Sequence, residues 1–130
     1  MSSEFYPPEI AALPEADVSF PGVRGRLLQG PAQQLVFFEI DPIGEVKPHS
    51  HGAQWGVVLD GEMELTIGAD TRTYRKGDSY YIPAGVVHSA RFRTQTRAID
   101  FFAEPERYRV RRAGELRVAG LRSPGAGHQP

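Results

Sequence analysis

The chain contains no cysteine. Disulfides, thiolate catalysis and a cysteine zinc site are thereby excluded, and packing has to hold the fold. An excess of charge is lacking too, with 15 Lys plus Arg against 16 Asp plus Glu and a net charge of −1. That balance provides no electrostatic footprint for nucleic acid or an anionic membrane, so neither is expected as a partner. The N-terminus MSSEFYPPEI lacks a basic start followed by an apolar run. No apolar stretch approaches the roughly 20 residues that span a bilayer, and a soluble cytoplasmic protein is the expectation. Helical periodicity of useful length is absent between Val23 and Phe102.

What is present, 130 residues of which 40% are hydrophobic, suits one domain with one core. From Val23 to Phe102 short runs rich in Val, Ile, Phe, Tyr and Thr alternate with Gly, Pro and Asp, the pattern of an all-β sandwich or barrel. The runs predict strands at Val23 to Leu28, Gln34 to Ile40, Val46 to His51, Gln54 to Leu59, Glu62 to Ile67, Arg72 to Arg75, Ser79 to Ile82, His88 to Arg93 and Arg97 to Phe102. Asp60-Gly61 is the strongest turn signal and predicts a two-residue hairpin that leaves Met63, Leu65 and Ile67 facing the core. Gly68-Ala69-Asp70, Lys76-Gly77-Asp78 and Thr94-Gln95-Thr96 supply further turns, so two packed sheets closing on themselves are expected.

Before these strands, residues 1–22 hold Pro7, Pro8, Pro14 and Pro21 beside Ile10, Leu13, Val18 and Phe20, which suits an arm lying against the barrel or a second subunit. After them, residues 104–130 carry six Arg against three acids and read as a solvated basic tail, disordered from Arg122 onward. Open sheet edges and an apolar arm together predict a homodimer.

The chain has four histidines. His49-Ser50-His51 sets two imidazoles at i and i+2, which on a strand share one face. His88 follows the rigid turn Pro83-Ala84-Gly85, while His128 lies in the tail and reads as incidental. Three imidazoles on a sheet suit a divalent ion with positions left open for substrate or water. Two histidines alone would read equally well as ordinary core or surface residues.

These residues resemble the cupins. The second cupin motif, Gly, five residues, Pro-x-Gly, two residues, His, is present as Gly77, Pro83, Gly85 and His88. The first is present as Gly44, His49, His51 and Gly61, with Gly44 one residue nearer to His49 than the pattern asks. The resemblance implies a double-stranded β-helix, the cupin jelly-roll barrel, over residues 23–103, and one divalent metal ion per chain (Zn, Ni, Mn, Fe or Cu) held by His49, His51 and His88. It also points to a homodimer.

The family places a Glu with six residues between it and the second Gly of the first motif, and here that position is Gln54. Its amide oxygen either ligates the metal or merely bonds a strand end. A set of His49, His51, Gln54 and His88 is neutral, which favours Lewis-acid chemistry and removes one candidate base. Such a set is similar to that of the cupins of pectin and alginate breakdown, which linearise unsaturated uronates and also use an acid and an arginine near the metal.

Asp100, between Ile99 and Phe101 on an apolar wall, is the candidate catalytic acid or base, the alternative being a salt bridge to Arg91 or Arg93. Arg107 is either a reader of a substrate carboxylate or an exposed tail residue. Trp55, Tyr80, Tyr81, Phe92 and Phe102 are candidate pocket walls or plain core, and Phe92 stands where the family has Asn. Three functions follow: an isomerase, ring-opening enzyme, lyase or cyclase acting on an oxygen-rich substrate such as a sugar acid; a dioxygenase; or a non-catalytic sensor that binds a ligand through its metal.

Overall fold

The computed structural model describes residues 5–111. His128 and the rest of the expected tail from residue 112 lie outside the described residues. Among the described residues the chain forms nine strands: β1 Val23–Gln29, β2 Gln34–Ile40, β3 Gly44–His49, β4 Gln54–Asp60, β5 Glu62–Ile67, β6 Asp70–Arg75, β7 Ser79–Ile82, β8 His88–Phe92 and β9 Thr96–Phe102. A single helical turn, α1 (Pro8–Ala11), precedes them. No helix among the described residues is long and apolar enough to cross a membrane.

All pairing is antiparallel, in a five-stranded sheet ordered β1-β2-β9-β4-β7 and a four-stranded sheet ordered β3-β8-β5-β6. The two sheets face each other as an all-β jelly-roll barrel. Alternation along the strands fills the space between them: Leu27, Val36 and Phe38 from one sheet meet Met63, Leu65 and Phe92 from the other. Each fully buried side chain of this size contributes roughly 1.5–3 kcal/mol. Met63 and Leu65 face this core as their spacing requires, and Ile67 packs against its margin, half-buried.

The Asp60-Gly61 turn departs from expectation. Gly61 does adopt a positive φ, but β4 and β5 belong to different sheets and do not pair. The turn instead carries the chain across the barrel, and so do the connections from β6 to β7 and from β8 to β9. A Cβ on Gly61 would collide with the Gln95 carbonyl, so glycine lets two crossing turns touch. They are stitched by Glu62 N–H donating to Thr94 Oγ1 at 3.2 Å and Thr96 Oγ1 donating to the Glu62 carbonyl at 3.0 Å.

Residues flanking the strands are built into the body. Tyr6 is buried and donates from its hydroxyl to the Phe38 carbonyl at 2.8 Å. Ala16 bridges to Val110, and Arg111 binds Glu15, Asp17 and the Val18 carbonyl. Gln34, 1% exposed, donates from Nε2 to the carbonyls of Pro105 and Tyr108 and accepts from the Tyr108 N–H. The segment from Glu104 to Arg111 is thus fastened to β2 and to the arm rather than lying in solvent.

Candidate metal centre

His49 ends β3 and His88 begins β8, and the two are partners in the register of that ladder. His51 does not continue the strand, which stops at His49. Pro48 provides no ladder N–H, and the register shifts between Val46 and His49, an irregularity that an edge strand tolerates. The convergence of His49 and His51 is therefore the work of the loop at 50–53. Two contacts shape it: the Gly85 N–H donates to the His51 carbonyl at 2.9 Å, and Glu104 accepts from the Gly52 N–H at 2.8 Å. Gly85 has φ +79, a conformation other residues rarely adopt, so the Pro83-Ala84-Gly85 turn orients His88 and also holds His51.

One ligand atom from each of His49, His51 and His88 falls within 4.8 Å of the others. Each ring has its Nδ1 against a backbone carbonyl: Lys47 at 2.9 Å, Gly52 at 2.8 Å and Val86 at 3.0 Å, respectively. A carbonyl can only accept, so in the neutral ring Nδ1 carries the hydrogen and Nε2 keeps its lone pair. Burial lowers the pKa of all three, and the nearby Arg107 charge adds to the effect; His51 falls to about 4. Three neutral imidazoles with carbonyl-fixed tautomers are the donor set that a borderline divalent ion takes. The Glu104 carboxylate is 3.7 Å from His51 Nδ1, too far for a hydrogen bond, and a neutral His51 makes no ion pair with it.

Gln54, the first residue of β4, turns its Nε2 to the Asp100 carboxylate at 2.9 Å. The same carboxylate oxygen accepts the Tyr80 hydroxyl at 2.7 Å. Asp100 thus receives these two donors rather than Arg91 or Arg93; Arg93 stands 3.9 Å from Glu64. Asp100 is 4% exposed, and burial raises its carboxyl to about 6 against the opposing pull of both hydrogen bonds. Gly56 lies opposite Asp100 in the β4–β9 ladder, and a Cβ there would strike Asp100 Oδ1 and the Tyr80 hydroxyl.

His49, Gln54, His88, Tyr80 and Asp100 line one cavity of about 80 Å³. Phe92 and Phe102 are among its walls, whereas Trp55 and Tyr81 are 44% and 58% exposed and point away from it. Arg107 is buried, its guanidinium 4.6 Å from the Tyr108 ring centroid. The reading of Arg107 as an exposed residue fails because Gln34 pulls its segment onto the barrel. Gly56, Glu104 and Tyr108 escaped the sequence reading: their neighbours here are distant in the chain, and no local pattern marks them.

A two-sheet jelly roll with an imidazole cluster at the rim of its internal cavity defines a class of small metal-binding barrels. The family described as "Cupin domain" matches residues 36–102, and the chain belongs to it. Among solved structures it is similar to KdgF from a Halomonas species, with 26% identity, a TM-score of 0.62, and 71% of this chain and 88% of that one covered. An RmlC-like cupin from Shewanella frigidimarina shares 27% identity over 82% of this chain and 94% of its own, with a TM-score of 0.65. A salicylate 1,2-dioxygenase from Pseudaminobacter salicylatoxidans is 20% identical over 66% of this chain and 27% of its own, with a TM-score of 0.58, and shares the fold. No curated protein matches the chain.

Proposed function

We propose that the chain is a metal-dependent enzyme that isomerises, ring-opens or eliminates from a small oxygen-rich molecule, with His49, His51, His88 and Gln54 holding one divalent ion and Asp100 moving the proton. The observation that carries this reading is Asp100 itself, a buried carboxyl raised to about 6 in the cavity that holds His49, His88 and Gln54. A general acid or base works best when its pKa lies near the working pH. When bound, the ion supplies Lewis acidity that polarises a substrate carbonyl or hydroxyl. Gln54 joins the two halves of the site, since an amide whose Nε2 donates to Asp100 directs its oxygen away from that carboxylate. Tyr80 holds the carboxylate in place, its own ionisation suppressed by burial. The buried Arg107 charge acts on all three imidazoles and favours an anionic substrate beside them.

Protein purified without added metal should contain about one divalent ion per chain, and His51→Ala should lose most of it. A metal-free wild type that resists reconstitution would falsify the assignment. Asp100→Asn should retain the ion while exchange of a substrate's acidic hydrogen with deuterated water collapses. Turnover that requires both iron and oxygen would instead make the protein a dioxygenase, and tight ligand binding with no turnover would make it a sensor.

The functional unit is a homodimer. Leu28, Leu35, Phe101, Trp55 and Tyr81 are successive register partners across all five strands of the larger sheet. Four of them are 37–58% exposed. A continuous apolar row of this length suits burial against its own copy.

A further inference from the structure

The register of the strands divides the cavity into a polar end and an apolar depth. His49 finishes β3, His88 begins β8, Gln54 begins β4, and Asp100 lies near the end of β9, so all four belong to one end of the barrel. Moving inward, the rung after His49 and His88 is Val46 with Ala90, and then comes Phe92. On β5, Leu65 lies beside Ala90, with Met63 beyond it, and on β9 Asp100 gives way to Ala98. These side chains line the cavity and, apart from the weakly accepting thioether of Met63, offer no hydrogen-bonding atom. Tyr108 also lines it; its hydroxyl is buried and has no hydrogen-bond partner among the described residues.

A hexuronate carries a hydroxyl on nearly every carbon. Set against Val46, Leu65 and Phe92 such hydroxyls find no partners, and each one left unpaired weakens binding by about tenfold. The cavity is also small, about 80 Å³. Resting on the metal-enzyme reading above, the geometry points to a substrate with a chelating oxygen head, such as a 2-oxo acid or a β-dicarbonyl, on a short hydrocarbon body, with the Tyr108 hydroxyl serving at most one further oxygen. The oxygen-rich character is confined to the head, and a sugar acid fits poorly.

Cobalt-loaded wild type tests this by calorimetric titration with 2-oxobutanoate, 2-oxopentanoate and 4-methyl-2-oxopentanoate, and with 2-oxo-4,5-dihydroxypentanoate, which bears the same head. Affinity should rise about fourfold for each added buried methylene, and the dihydroxylated acid should bind at least about tenfold more weakly than 2-oxopentanoate. Val46→Thr, which swaps a methyl for a hydroxyl at constant shape, should narrow that gap while the cobalt spectrum stays unchanged. Equal or tighter binding of the dihydroxylated acid, or a flat series, overturns the inference alone. Protein that takes up no cobalt overturns the metal reading and this inference with it.

Discussion

Asp100 keeps its proton to a higher pH in the folded chain than in the unfolded one, about 6 against 3.8. In metal-free protein the sign follows directly. The contribution to stability is full below pH 3.8, declines as pH rises toward 6, and is lost above it, because the native state binds the extra proton across that window. A difference of about two units corresponds to roughly 3 kcal/mol. Urea unfolding of metal-free wild type and Asp100→Asn at a series of pH values should therefore show the variant gaining up to about 3 kcal/mol on wild type between pH 4 and pH 7; parallel pH curves would remove the assignment. An acid on an apolar wall was legible in the chain, since charge between Ile99 and Phe101 asks for a reason. Its partners were not, because Gln54 and Tyr80 are separated from it by 46 and 20 residues.

Among the elements, most strand limits follow from where Gly, Pro and Asp interrupt β-branched and aromatic runs: β2, β5 and β7 have the limits their sequences suggest. Sheet membership was not legible at Asp60-Gly61, because a glycine with positive φ serves a hairpin and a barrel crossing alike, and the choice is made by Thr94 and Gln95 far along the chain. The same limit applies to the loop at 50–53, which two remote residues, Gly85 and Glu104, shape. Glu104→Ala frees the Gly52 N–H and should weaken metal binding by about tenfold, as read by competition with a chelating dye. Glu104→Gln, which still accepts from Gly52, should recover most of that affinity. Should both variants bind metal like wild type, the loop would not depend on this contact.

At the scale of the molecule, Trp55 is the sole tryptophan of the chain and sits in the exposed apolar row. Its emission should shift to the blue as concentration rises through the association range, and sedimentation should give a dimer at micromolar concentration. Trp55→Glu, which puts a charge amid the row, should sediment as a monomer; a monomeric wild type would remove the pairing. Gln34 has a different reach. Gln34→Ala removes the buried partner of the Tyr108 N–H and carbonyl, while the Pro105 carbonyl keeps Gln29, and should cost about 2–3 kcal/mol in denaturant unfolding. A loss under about 1 kcal/mol would mean that the segment from Pro105 to Tyr108 is held by other contacts. The Gln34 clamp spans 74 residues, from the second strand to Tyr108. During synthesis His49, His51 and His88 all emerge before Tyr108, so a nascent chain owns its complete imidazole set while the cavity behind it is still open. Ligands and enclosure are acquired at different times, and a truncation just after β9 would separate them permanently.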